Sequence, residues 1–322
     1  MTISRRTILG GGLAAPATLR LAALGGAATG GALLSSPARA AQDAHRLTLG
    51  ATELIVLTDG GLSLPASTLA GNVEEAERSA FLAAGGFDTA MRDSALNITL
   101  IRSGDALVLV DTGAGMNFFE SAGLLADSFD VAGLDREAVT HVVLTHAHPD
   151  HVWGIIDDFD EAERFPNAGY LIGAREWDFW MDPDFLVNNP EELHSFGLGA
   201  QRNLGAVAEK VTRVGADHSV VPGVTMIATP GHTPGHMSVL VEDGGEQVLV
   251  LGDALTHPTI SFERPDWQPT SDQVPEQAIA TRRALLDRAA TDRLMLIGYH
   301  LPWPGVGRVE AKDAAWRYVP AG

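Results

Sequence analysis

The stretch LTHAHPDHVWG, residues 144–154, places His146, His148, Asp150 and His151 within six positions of a chain that has eleven histidines in all. Imidazole nitrogens and carboxylate oxygens at this density suit zinc, manganese, iron or cobalt. His146 and His148 stand two apart, on one side of an extended segment. Asp150 and His151 follow at the expected start of a helix and project from another direction. One such cluster can therefore feed one ion on each side. Further polar residues stand where apolar runs stop: Asp111 after LVLV, Asp253 after VLVLG, and His300 after LMLIGY. The loop TPGHTPGH (229–236) adds His232 and His236. Of that pair His232 is expected to bind metal, because it follows Pro-Gly in the tighter loop, and His236 is expected to support. Asp111 either orients a ligand histidine or forms a turn in DTG. His141, His194, His218 and His257 are read as ordinary polar or partly buried histidines, with His194 and His257 placed within possible reach of a cleft. The chain has no cysteine, so a metal site here uses only histidine and carboxylate ligands.

The runs that precede these residues read as strands. LTLGATELIVLTDG (47–60) predicts a hairpin, and ALNITLIRSGDALVLVDTGAG (95–115) predicts two strands broken at Gly104-Asp105. Residues 224–254 predict three strands with Gly244-Gly245 as a hairpin turn, and 293–300 one more. Helical patterns fall at about 117–128, 135–139, 151–158, 174–181, 200–210 and 275–290, the last opening on Pro275 and Glu276. Hairpins mixed with strand–helix alternation predict mixed sheets with helices outside, an α/β (α+β) architecture. Polar groups at the ends of buried strands then share one cleft at the sheet edge.

Residues 1–40 carry Arg5-Arg6, a Gly/Ala-rich apolar run interrupted by Arg20, and the ending Ala38-Arg39-Ala40. This pattern predicts a twin-arginine export signal cleaved after Ala40, with residues 41–322 as a single domain in the periplasm or outside the cell. Removing it leaves 18 basic against 41 acidic side chains, a formal charge of −23. A chain this acidic repels phosphate backbones and anionic lipid, so nucleic acid is not an expected partner. No stretch of the mature chain is long and apolar enough to span a bilayer.

HAHPDH, a later GHTPGH, a strand-end GD and a strand-end histidine together resemble the metallo-β-lactamase superfamily, over essentially the whole mature chain. The resemblance implies a four-layer αββα sandwich with the site at one edge of two sheets. It implies that His146, His148 and His232 bind one metal, that Asp150, His151 and His300 bind the other, and that Asp253 bridges both. LTHAHPDHVWG, FPNAGYLIGAREWDFW, TPGHTPGHMSVLVE, GDALTHPTISFERPDW and the motif from His300 to Gly307 are more specifically similar to the methyl parathion hydrolase and lactonase group. A homodimer is implied by the same resemblance. Asp253 points away from β-lactam hydrolysis. A glyoxalase II-like thioesterase is disfavoured by export and by the lack of a basic tail.

Two divalent ions, zinc foremost, would share a hydroxide that attacks a carbonyl or phosphorus centre, with Asp150 and Asp253 as the catalytic carboxylates. Phe119, Trp177, Trp180 and Phe196, within the aromatic group that also holds Phe118, Phe179 and Phe185, are expected to wall a pocket for a small, uncharged, partly apolar substrate, or else to pack the core. Lactones, aryl esters and organophosphate triesters fit such a site. Tyr170 and Tyr299 are candidates for a leaving-group acid. The competing reading is a metal-binding member of the fold without turnover.

Overall fold

The run Leu107–Val110 is apolar at every position because both of its faces are covered. Successive residues of a strand face opposite sides. Leu107 and Leu109 belong to one buried cluster, and Val108 and Val110 to a second. Residues 248–251 repeat the pattern, with Val248 and Val250 in the second cluster and Leu249 and Leu251 in a third. The second cluster is thus a layer between two sheets, and the other two lie on their outer faces. The computed structural model describes residues 44–321, within a unit that spans Pro37–Gly322. The expected export signal lies outside the described residues.

The first sheet has seven strands in chain order: β1 (His45–Leu49), β2 (Thr52–Pro65), β3 (Met91–Ser103), β4 (Ala106–Val110), β5 (His141–Leu144), β6 (Gly169–Gly173) and β7 (Val211–Val214). β1 to β4 are antiparallel neighbours, and β4 to β7 are parallel. The second sheet has β8 (His218–Val221), β9 (Val224–Ala228), β10 (Met237–Asp243), β11 (Glu246–Val250), β12 (Met295–Ile297), β13 (Val306–Lys312) and β14 (Ala315–Pro320), again in chain order across the sheet. Only β11 and β12 pair in parallel there.

The helices are α1 (Glu75–Ala84), α2 (Leu125–Val131), α3 (Pro149–Val152), α4 (Ala174–Trp180), α5 (Phe185–Asn188), α6 (His194–Ala206), α7 (Ile260–Glu263) and α8 (Pro275–Asp292). Phe129 of α2, Val152 of α3, Trp180 of α4, Phe185 of α5 and Leu204 of α6 cover the first sheet. Phe262 of α7 and Leu285, Leu286 and Ala289 of α8 cover the second. The result is the expected αββα sandwich.

Three helical expectations shift. The helix expected at 117–128 begins only at Leu125, because Ala122 bridges to Gly60 and Gly123 sits at φ +82°. The one expected at 151–158 stops at Val152, where Gly154 packs so closely on Thr112 that a Cβ would lie 2.0 Å from its carbonyl oxygen. The one expected at 200–210 runs from His194 to Ala206. α1, α5, α7, β6, β7, β8 and the β13–β14 hairpin were not anticipated. Among the described residues no helix is long and apolar enough to cross a membrane.

Candidate metal centre

β4 and β5 run parallel in one sheet, so their C-terminal ends lie side by side. In the other sheet β9 and β11 are both antiparallel to β10, and β12 is parallel to β11. The ends of β9, β11 and β12 therefore also share one edge. Asp111, the 145–151 segment, His232, Asp253 and His300 follow those five ends. At Asp111 the backbone takes φ +66°, an uncommon conformation for a residue with a side chain. This turn aims its carboxylate back across β5. There it accepts hydrogen bonds from Thr145 N (2.7 Å), Thr145 Oγ1 (2.8 Å) and His151 Nδ1 (2.8 Å). Asp111 thus orients an imidazole as well as making a turn. Pro149 occupies the first turn of α3, where its missing N–H costs nothing, and that turn carries Asp150 and His151.

Three sets of donor atoms converge, each with members within 4.8 Å of one another: His146, His148 and His232; His146, His151 and Asp253; Asp150, His151 and His300. His148 Nδ1 lies 3.1 Å from His146 Nε2 and 3.0 Å from His232 Nε2. Three ring nitrogens pointed at one spot cannot all be satisfied by the protons they carry, but they match the corners of a metal site. Asp253 stands between the sets. Its carboxylate oxygens lie 3.3 Å from His151 Nε2, 3.3 Å from His232 Nε2 and 3.1 Å from His300 Nε2. Asp150 Oδ2 is 3.3 Å from His300 Nε2 and 3.6 Å from His151 Nε2. His151 Nε2 and Asp253 Oδ1 are buried without a hydrogen-bond partner. All seven side chains are buried. Orphaned donors in an all-histidine and carboxylate set fit divalent cations.

The electrostatics agree with that fit. Burial, with the neighbouring His151 and His232 rings, holds His146 and His148 well below the usual imidazole range, so their lone pairs are free. Burial opposes charge on His300, but Asp253 and Asp150 outweigh it and push it up to about 9. Burial likewise opposes charge on His151, and Asp253, Asp150 and Asp111 overcome it. Without ions, protons on His151 and His300 thus balance the carboxylates, and loading a cation there displaces them.

A surrounding set of residues holds the ligands. Glu176 of α4 is fully buried and accepts four hydrogen bonds: Ala147 N (3.0 Å), Trp180 Nε1 (2.6 Å), Thr233 Oγ1 (2.7 Å) and Gly235 N (3.0 Å). It ties the HAHPDH loop to the GHTPGH loop. His232 Nδ1 faces Asp272 Oδ1 at 3.1 Å, and Arg282 of α8 donates to Asp272 Oδ2 at 2.8 Å. His236 belongs to none of the three donor sets; its Nε2 accepts the Asp253 N–H at 2.9 Å, and burial then His232 hold its pKa down to about 3. Gly252, at φ +55°, allows that contact, since a Cβ there would come within 2.7 Å of the ring. Sequence reading did not find Glu176, Asp272 or Arg282. Their partners are remote in the chain, and the one local signal is the four-residue spacing of Glu176 and Trp180.

Over the centre opens a cavity of about 840 Å³. His148, Asp150, His232, Asp253 and His300 form its floor, and Phe118, Phe119, Phe179 and Phe196 are among its walls. Trp177 and Trp180, expected in the wall, are not among the lining residues. Trp180 is fully buried beneath His148, ring centroids 5.6 Å apart, and Trp177 packs against the same core cluster. Helix α4 turns those rings inward because Glu176 holds the Trp180 indole. His194 and His257 do not line the cavity either. Neither tyrosine reaches it: Tyr299 donates to the Asp150 carbonyl and stacks on His151, and Tyr170 lies in the core.

The chain belongs to the metallo-beta-lactamase superfamily, whose sequence model matches residues 92–300. It is similar in structure to AidC, a dizinc quorum-quenching lactonase, with TM-score 0.81 and 30% identity, over 87% of this chain and 98% of that one. It is also similar to the hydrolase AbOPH of the beta lactamase superfamily, with TM-score 0.80 and 26% identity, over 87% and 98% of the two chains. In sequence it is 31% identical over 128 residues to the N-acyl homoserine lactonase AttM of Rhizobium radiobacter, covering 39% of this chain and 44% of that protein. The chain spans about half the length of the curated relatives it matches.

Proposed function

We propose that this protein is a binuclear metallohydrolase that opens lactones and cleaves aryl esters, with organophosphate triesters as a further class. The observation that carries the reading is the convergence of seven buried donors, with Asp253 in reach of His151, His232 and His300 at once. His146, His148 and His232 would hold one ion, Asp150, His151 and His300 the second, and Asp253 both; zinc suits these donors best. When bound, the ions would supply a water acidified to a pKa of about 7 and a Lewis acid for the substrate oxygen.

The chain's own residues do the rest. Asp253 and Asp150 present carboxylate oxygens to the cavity floor, within reach of a proton released by an attacking water. Asp111 fixes the tautomer of His151 by taking its Nδ1–H, which leaves Nε2 toward the site. Phe118, Phe119 and Phe196 hold an apolar acyl or aryl group and exclude bulk water. The similar dizinc lactonase and the lactonase AttM support a lactone as the preferred bond.

The deciding measurement is metal content together with kcat/KM on dihydrocoumarin, an acyl-homoserine lactone and methyl paraoxon. We expect two ions per chain and a lactone preference of about a hundredfold, near 2.7 kcal/mol in transition-state stabilisation. A preference reversed toward methyl paraoxon would make the protein a phosphotriesterase, and two bound ions without turnover would leave a metal-binding protein only. Export through a twin-arginine signal cleaved after Ala40 is part of this proposal, and sequencing the N-terminus of the secreted or periplasmic protein tests it.

A further inference from the structure

The walls of the cavity differ in kind. One is aromatic: Phe118 packs edge-on against Phe119 and Phe196, at 4.8 and 6.1 Å, and Phe196 reaches the His148 ring at 5.8 Å. The other bears Arg92, the second residue of β3 and the only lysine or arginine among the described residues that line the cavity. Arg282, elsewhere in the fold, pairs with Asp272 and also donates to the Pro265 carbonyl. Arg92 differs. Among the described residues no carboxylate lies at ion-pair distance from it and no acceptor takes its protons; the carboxylates that act on its charge are Asp253 and Asp150 of the cavity floor.

The nearby His257 offers no acceptor. Its Nδ1 already takes the N–H groups of Thr259 and Ile260, both at 3.1 Å, so the other ring nitrogen carries the proton. Burial, then the Arg92 charge, hold the His257 pKa down to about 3, so it stays neutral. Asp253 and Asp150 act on this cation without touching it, so its fork is left open at the cavity wall. An unpaired, partly buried charge is costly unless something completes it, and a guanidinium offers a planar fork matched to a carboxylate.

We propose that Arg92 anchors a carboxylate on the substrate, so that this hydrolase prefers amphiphilic esters or lactones, with an apolar body on the Phe118–Phe119–Phe196 wall and an acidic head on Arg92. The inference rests on the hydrolase reading above and replaces the uncharged substrate expected from the sequence. It makes Arg92 a specificity-determining residue, separate from the metal ligands.

The test uses the zinc-loaded protein and two esters of matched size, meta-carboxyphenyl hexanoate and its neutral counterpart meta-carbamoylphenyl hexanoate. It adds calorimetric dissociation constants for meta-hydroxybenzoate and meta-hydroxybenzamide. For the wild type we expect kcat/KM to favour the carboxylate ester by about tenfold, the worth of one charge-assisted hydrogen bond. Arg92→Gln should abolish that preference, read as the ratio of the two esters, and weaken meta-hydroxybenzoate by about the same factor, with the benzamide changed little. Arg92→Lys should recover part of it, since charge survives and the fork does not. Unchanged benzamide affinity reports that the variant pocket is intact. A wild type without preference, a preference that survives in Arg92→Gln, or failure of both ligands to bind overturns the anchor. An Arg92-dependent preference in binding, with neither ester cleaved, upholds the anchor and overturns the hydrolase reading.

Discussion

Glu176 shows how much one side chain can organise without touching an ion. Each of its oxygens accepts two hydrogen bonds, Oε1 from Ala147 N and Trp180 Nε1, Oε2 from Thr233 Oγ1 and Gly235 N. An amide cannot copy this, because whichever side its NH2 takes will face two donors. Glu176→Gln should therefore cost about 2–3 kcal/mol of stability, the penalty for leaving buried polar groups unmet. Metal affinity should fall by about ten- to a hundredfold, as for other residues that orient ligands from behind. Urea unfolding and competition with a chromogenic chelator measure the two effects. Unchanged affinity would mean that the loops holding His146, His148 and His232 keep their shape without this carboxylate.

Helices reach the centre through chains of such contacts. Arg282 projects from α8 to Asp272, which faces His232, so an outer-layer helix helps to fix a ligand on the opposite side of its sheet's edge. Arg282→Met keeps the bulk and removes the charge. It leaves Asp272 buried against His232 alone, and about 3–5 kcal/mol of stability should be lost. A variant that unfolds at the wild-type urea midpoint would show that His232 suffices as the partner of Asp272. The short α7 is held by His257, whose Nδ1 accepts the N–H groups of Thr259, its N-cap, and of Ile260, its first residue. Burial and then Arg92 depress that histidine to about 3, against an ordinary value of 6.5. The folded state thus binds fewer protons than the unfolded chain below pH 6.5. Stability from this site is complete above 6.5 and is lost as pH falls toward 3. His257→Asn keeps an acceptor that does not titrate. Between pH 7 and pH 4 the metal-free wild type should lose about 3 kcal/mol more than the variant, compared by urea unfolding. Parallel losses would place the titration elsewhere.

Across the whole molecule, what could be read in the chain is what the sandwich makes loud. Strands buried on both faces give unbroken runs such as Leu107–Val110, and each run that ends in Asp111, Asp253 or His300 marks the edge where the two sheets meet. The residues that support the centre are silent in sequence, because Glu176 gathers partners from positions 147, 180, 233 and 235, and the place of Arg92 at the cavity wall exists only in three dimensions. β13 and β14 escaped notice because their outward positions are charged and exposed, as in Glu310 and Arg317. Trp177 and Trp180 could be read either way because a wall and a core draw on the same residue types, and both pack against the core. The sandwich also predicts how the protein behaves without metal. Its three main clusters hold apolar layers built from strands and helices, and the His151 and His300 charges balance Asp150 and Asp253 when no ion is present. Folding therefore does not wait on metal, unlike small domains whose core is the ion itself. Stripping the protein with chelator should preserve its far-UV circular dichroism and a cooperative transition. An ion held at a thousandfold above its Kd contributes about 4 kcal/mol, and at roughly 2–4 °C per kcal/mol the Tm should drop by about 10 °C and return with zinc. Loss of cooperative unfolding on chelation would instead mean that the two sheets are joined chiefly through the ions.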